Sequence, residues 1–273
     1  MVLLYIPPVQ NLLRREVTAY ASKATGMQIQ VERIDLRFPL NLLVRGVEVI
    51  QQPDTLLSLE SLNVRVQAWP LLKGKVEVDE VTLSQVAVNS ANLIEGMQIK
   101  GVLGRFFLQS HGVDLSNETA VVNRTELSDT HIQLLMTDTT TTPKDTTASA
   151  PVNWKVNLHQ LKLKNVSFGM KLPADSMKMA AYIGEATIDD AKADLKNQFY
   201  GLKQFLLSGA SASYDTGEAQ PSEGFDASHM AVRNIRIGLD SLLYEGRNMN
   251  AVIREITMEE RSGLSITSVS YTH

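Results

Sequence analysis

The chain contains no cysteine among its 273 residues, which removes disulfides, thiolate metal sites, iron–sulfur clusters and cysteine nucleophiles together. Aromatic residues are scarce, at 6%. The apolar run at the amino terminus falls far short of the roughly 20 residues that a spanning helix needs. Basic residues are not in excess either: 26 Lys and Arg against 30 Asp and Glu leave a net charge of −4. The electrostatic footprint of a nucleic-acid-binding protein is therefore missing. What is present is 44% apolar and 21% charged residues, which excludes a disordered chain and a multi-span membrane protein. The length suits one large domain or two ordinary ones and is enough to bury a sizeable core.

Catalytic chemistry finds little support. The five histidines, at 111, 131, 159, 229 and 273, are scattered, with no pair at metal-ligand spacing. His159 falls in a polar stretch and is expected to be exposed. Asp189, Asp190 and Asp194 cluster without a calcium-loop glycine pattern or a basic residue at a telling offset. Gly96, Gly101 and Gly104 match neither phosphate-cradling spacing and are expected to serve turns and close backbone packing. Neither a G-x-S-x-G nor an H-E-x-x-H motif occurs. No catalytic residue, metal ligand or cofactor is expected.

The organising signal is a spacing. Val76, Val78, Val81, Leu83, Val86 and Val88 follow the steps two, three, two, three, two, and Val156, Leu158, Leu161, Leu163, Val166 and Phe168 repeat them. Shorter copies run through Ile29, Val31, Ile34 and Leu36, through Met230 to Ile237 and through Ala251 to Met258. Polar pairs fill the three-residue steps, among them Glu32-Arg33, Ser84-Gln85, His159-Gln160 and Lys164-Asn165. On a helix these apolar positions would scatter around the axis. On a regular strand each three-residue step would move the next apolar pair to the opposite face. A β-bulge at each polar pair would return them all to one face and bend the strand. The pattern thus predicts a mainly β fold: a long bent, twisted antiparallel sheet with one apolar face, forming an open groove. It also fits a β-sandwich whose two sheets share that face.

Around this sheet the chain divides as follows. Val2, Leu3, Leu4, Tyr5 and Ile6 are an apolar run stopped by Pro7-Pro8, read either as a terminus tucked into the core or as the end of a membrane anchor over 1–7. Val9, Leu12, Leu13, Val17, Tyr20 and Ala24 recur at helical spacing with Arg14, Arg15 and Lys23. They predict an amphipathic helix over 8–25, suited to a membrane surface or to capping the end of a sheet. The first part of the sheet is expected over 27–136, then a Thr-rich flexible loop over 137–151, then more sheet over 152–273, ending as though it were incomplete. Tyr214 to Ala227 is expected to be a second loop of the same kind.

Several phrases also carry a resemblance. Ile6-Pro7-Pro8-Val9-Gln10, Val31-Glu32-Arg33-Ile34-Asp35-Leu36, Leu43-Val44-Arg45-Gly46-Val47-Glu48-Val49, Asp54 to Leu59 and Trp69-Pro70-Leu71-Leu72-Lys73-Gly74-Lys75-Val76 occur in order. Together they resemble the amino-terminal, membrane-proximal part of the TamB/AsmA-like family, most closely over residues 5–105. The family is similar in architecture to the bridge-like lipid transfer proteins. The resemblance implies a β-groove ("β-taco") that guides phospholipid acyl chains across the periplasm of a double-membrane bacterium. It further implies anchoring in the inner membrane and a BamA-like outer-membrane barrel as partner, with neither enzyme activity nor nucleic acid. The chain is shorter than such a groove requires, so a segment of a larger protein is expected. Lipid-lining residues would be Ile29, Val31, Ile34, Leu36, Val76, Val78, Val81, Leu83, Val86, Val88, Val156, Leu158, Leu161, Leu163, Val166 and Phe168, with Val2 to Ile6 nearest the membrane. A structural scaffold for envelope assembly, conducting no lipid, is the alternative.

Overall fold

Strands with an apolar residue at every second position and polar pairs between need neighbours that repeat the pattern at the same levels. The chain supplies them in sequence order. A computed structural model describes residues 7–71, 77–90, 93–114, 117–136, 153–217, 220–267 and 271–272. The helix α1 (Pro7–Thr25) leads into β1 (Gln28–Arg37), β2 (Asn41–Gln51) and β3 (Asp54–Val66). After the short α2 (Ala68–Leu71) come β4 (Val78–Asn89), β5 (Met97–Asp114), β6 (Thr119–Met136), β7 (Lys155–Leu172) and β8 (Met177–Asp194). The chain continues through β9 (Phe199–Leu202), β10 (Gln204–Asp215), β11 (His229–Glu245), β12 (Asn248–Glu260), β13 (Ser265–Ile266) and β14 (Tyr271–Thr272).

All fourteen strands form a single sheet, ordered β1 to β8, then β10, β11, β12 and β13. The sandwich is thereby set aside, because the described residues make no second sheet. Burial agrees: among the described residues only Ile34, Leu56, Ala120, Ala186 and Ala210 are buried apolar residues, and no side chain is fully enclosed. β9 and β10 act as one strand interrupted at Lys203, each pairing with both β8 and β11.

Two expectations are corrected. The sheet is antiparallel except at β6–β7, where Thr119 faces Lys155 and Leu135 faces Lys171 in parallel register. Parallel neighbours need a long crossover, which residues 137–154 supply; the Thr-rich part itself lies outside the described residues. The second loop is not structureless. Tyr214 and Asp215 belong to β10, and Asp226 accepts the backbone N–H groups of Ser222 (3.1 Å) and Ser228 (2.9 Å) and bonds His229 Nδ1 (3.0 Å).

The bulges also take an unexpected form. In β1–β2, Val31 faces Val47 and Arg33 faces Arg45, with Glu32 and Gly46 leaving the ladder together. Both strands carry the extra residue, so the register is unchanged across the irregularity. The same holds in β4–β5, β6–β7 and β7–β8, whereas β10–β11 and β11–β12 show true register shifts. Left-handed backbone marks the level: Gly46 (φ 58), Gln85 (50), Asp129 (51), Asn165 (53), Gly209 (62) and Asn234 (55). Gly, Asn and Asp tolerate this conformation best. Their partners are close: a Cβ on Gly104 would lie 2.7 Å from Asp129 Cβ, and one on Gly184 would lie 2.9 Å from the Gly209 carbonyl. Gly104 therefore serves close approach, as its sequence context suggests. Once the extra residue is turned out of the ladder, the alternation resumes in phase and the apolar positions keep to one face.

A second kink line runs six residues away through His159, Asp190 (φ 49) and Lys203. Here Asp190 bonds His159 Nδ1 at 3.0 Å and accepts from Lys203 Nζ at 2.7 Å. The two kink lines account for the two–three–two–three spacing of the sequence.

Candidate functional site

The register converts the spacing into transverse rows of side chains. One row reads Ile34, Val44, Leu62, Leu83, Phe106, Leu127 and continues through Leu163, Ala186, Leu207, Ile237 and Ile256. Every strand from β1 to β12, counting β9 and β10 as one, contributes an apolar residue to it. The next row holds Leu36, Leu42, Val64, Val81, Leu108 and Thr125, then Leu161, Ile188, Phe205, Leu239 and Ile253. Beyond the first kink line, Val31, Val86 and Val166 share a row, as do Ile29, Val88 and Phe168. Val78 pairs with Val66, while Val156 and Leu158 pair with Ala120 and Val122. The named positions of β1, β4 and β7 are thus brought onto one continuous face. Val76 and the run Val2 to Ile6 lie outside the described residues.

Ile34, on the edge strand β1 that α1 contacts, is 7% exposed, whereas Phe168 remains 41% exposed. Two polar side chains of β5 and β6 bond to the backbone: Thr130 Oγ1 donates to the Ser128 carbonyl at 3.2 Å, and Ser110 Oγ donates to that of Val78. Neither presents a free hydroxyl, so the surface interacts through dispersion and water exclusion, which are non-directional.

The opposite face is polar. A representative row is Arg33, Arg45, Ser61, Ser84, Arg105 and Ser128, followed by Lys164 and Glu185. Phe107 is an apolar residue on this face, and the guanidinium groups of Arg105 and Arg124 stand over its ring at 5.9 and 6.0 Å.

The acidic cluster resolves into structural pairs that the sequence did not disclose. Asp190 is held below the usual carboxylate range by the hydrogen bonds from Lys203 and His159. Asp194 pairs with Lys155 at 3.4 Å and accepts from Asn197, while Asp189 accepts from Gln160 at 3.2 Å. The basic partners come from other strands, so no sequence offset could announce them. His159 is exposed, as expected. No group of metal-ligating side chains occurs among the described residues.

The sequence reading missed the contributions of β5, β6 and β10. Leu103, Phe106 and Leu108 do follow the same steps, but Gly101, Thr125 and Thr130 break the apolar signal on β5 and β6. The helix α1, for which the sequence left open a membrane surface or the capping of a sheet, lies against the sheet edge: Arg14 donates to the carbonyls of Val31 (3.4 Å) and Glu32 (2.6 Å). Leu12 and Tyr20 on the same helix are exposed. Among the described residues, no helix is long and apolar enough to cross a membrane. No protein-family model and no curated protein matches the chain.

Proposed function

We propose that this chain is a membrane-proximal segment of a bridge-like lipid transfer protein of the TamB/AsmA-like kind. In this reading the sheet curls around its apolar face into a groove that carries phospholipid acyl chains across the periplasm, from an inner-membrane anchor toward an outer-membrane barrel. One observation carries the reading: an unbroken apolar row crosses the sheet from β1 to β12, and among the described residues no second sheet lies over it. Each methylene removed from water contributes about 0.8 kcal/mol, so a long tail is held only by extended lining. Aliphatic lining holds it without fixing its position, which suits sliding. The order of the sequence phrases, from Ile6-Pro7-Pro8 to Trp69-Pro70-Leu71, supports the family.

The test places a charge on the face. Leu83→Glu and Leu161→Arg lie on a half-buried surface, where a charge keeps access to water and the fold should survive. In an enclosed core the same unpaired charge would be prohibitive. The expected result is phospholipid co-purifying with the wild-type protein by native mass spectrometry and lost from both folded variants. Lipid retained by the variants would sink the proposal. Variants that unfold would point to an enclosed scaffold instead.

A further inference from the structure

Two connections at one corner of the sheet carry the same tripeptide, an aromatic residue followed by Pro and Leu. Phe38-Pro39-Leu40 joins β1 to β2, and Trp69-Pro70-Leu71 lies in α2, directly after β3. The register brings the two together. Arg37 faces Asn41, Asn41 faces Arg65, and the Val66 N–H donates to the Leu40 carbonyl at 3.0 Å, so both aromatics leave neighbouring strand ends. The second connection is held at its root by Gln67. Its backbone N–H donates to the Glu77 carbonyl at 2.9 Å, and its Nε2 donates to Asp79 Oδ1 at 2.5 Å. Even so, Phe38 is 85% exposed and Trp69 is 70% exposed. Aromatic residues make up only 6% of the chain, and large rings ordinarily serve packing. Two of them held out on adjacent connections mark an interaction surface.

Three further features indicate what meets this surface. The helix α1 reaches the same corner near its start, since Gln10 Nε2 donates to the Leu36 carbonyl at 2.9 Å, and Leu12 just beyond is exposed. The apolar run Val2 to Ile6 joins the chain at Pro7, where α1 begins. The charge is of one sign: residues 36–41 and 65–76 include Arg37, Arg65, Lys73 and Lys75 and no acid, in a protein of net charge −4. Arg65 is paired with Glu80 from β4, while Arg37 is exposed next to Phe38. Aromatic tips, an adjoining apolar segment and positive charge match a bilayer interface, where rings settle at headgroup level and cations meet anionic lipid. Tips at strand ends offer a protein partner little area, but they can enter a fluid surface. We propose that this corner is a membrane-docking surface, with Phe38 and Trp69 inserted in the interface of an anionic bilayer and Arg37 at the level of the phosphates. It lies outside the apolar rows and stands whether or not those rows conduct lipid.

The test uses the whole chain and two kinds of vesicle, phosphatidylglycerol with phosphatidylcholine in equal parts and phosphatidylcholine alone. Trp154→Phe leaves Trp69 as the sole tryptophan. Its emission should shift to the blue on the mixed vesicles and be quenched by lipids brominated close to the headgroup. In flotation, Phe38→Ser with Trp69→Ser should weaken binding to the mixed vesicles by roughly tenfold for each ring removed. Circular dichroism and the urea midpoint should not move, because both rings are exposed. Arg37→Gln should weaken binding to the mixed vesicles alone, by about fivefold. Trp69 emission that vesicles leave unmoved, or an affinity that survives the double substitution, overturns the docking surface. The emission readout leaves the corner intact, so it decides even if the double variant fails to fold. Equal binding to both kinds of vesicle overturns the anionic partner. A lipid-independent dimer that the double substitution dissolves assigns the corner to a second copy of the chain and overturns the membrane.

Discussion

Asn165 offers a direct test of the kinked strand. It occupies φ 53 in the interior of β7, and its Nδ2 donates to Asp129 Oδ1 at 2.7 Å. Replacing it with valine opposes two tendencies. In a regular strand valine is the better residue, by up to about 1 kcal/mol. In the left-handed region a β-branched side chain meets its own backbone, at a cost of roughly 1–2 kcal/mol, and the exposed hydrogen bond to Asp129 contributes a further 0.5–1.5 kcal/mol or so. If the kink is as described, Asn165→Val should lower stability by about 2–3 kcal/mol. Asn165→Gly loses the hydrogen bond but accepts the backbone, so its loss should stay near 1 kcal/mol.

Urea unfolding measures both, read as a change in midpoint at constant slope. Lys162→Val, in the same strand without left-handed backbone, serves as control and should move stability by no more than about 0.5 kcal/mol. The ranking matters more than the absolute values: valine must be clearly worse than glycine. If Asn165→Val proves as stable as Asn165→Gly, the extra residue is not left-handed, and the account of how the apolar face stays continuous fails. The converse substitution belongs to the same series. Gln85, the long side chain among the left-handed positions of this kink line (φ 50), should gain up to about 1 kcal/mol on replacement by Asn.

Two further outcomes follow from the structure. Asp226 is held at about 2, below the usual carboxylate range, by the N–H groups of Ser222 and Ser228 and by His229, so its stabilising effect is present above pH 4 and lost as pH falls toward 2. The protection of the Ser222 and Ser228 amides against hydrogen exchange, taken relative to the intrinsic rate at each pH, should therefore fall across that window, and Asp226→Asn should abolish its pH dependence. The absence of cysteine allows clean spin labelling at Arg45→Cys on β2 and Arg236→Cys on β11. A flat sheet would separate them by about 38 Å at ~4.8 Å per strand, and a distance distribution centred there would refute the proposed curl, which requires a clearly shorter one.

Much of the architecture could be read from the spacing alone. Val156 to Phe168 stated that the strand is apolar on one face and that something must interrupt it at His159-Gln160 and Lys164-Asn165. What those steps could not state is how neighbours respond. A bulge confined to one strand and an extra residue shared by two leave the same trace in a single sequence, and only Val31↔Val47 beside Arg33↔Arg45 separates them. The parallel pairing of β6 with β7 was equally invisible, since strand direction is set by the route of a connection and not by the residues of the strand. On β5 and β6, Gly101, Thr125 and Thr130 hid apolar rows: Gly101 packs against the His131 carbonyl and Thr130 bonds the Ser128 carbonyl.

A sheet without a covering layer must solve its edges differently from a sandwich. Unpaired edge groups invite another chain, and here α1 answers them on β1. Gln10 Nε2 donates to the Leu36 carbonyl at 2.9 Å, Arg14 donates to Val31 and Glu32, and Ser22 Oγ accepts the Ile29 N–H at 3.0 Å. At the other edge, among the described residues, β12 is met by the short β13 and β14. Between these limits each strand leans on its two neighbours, because the kink lines recur at the same levels and demand nothing of strands farther away. Stability should then accumulate strand by strand, as in repeat proteins. The same arrangement explains how an apolar face can be extended without closing into a core: adding a strand lengthens each row by one residue and leaves the face as open as before.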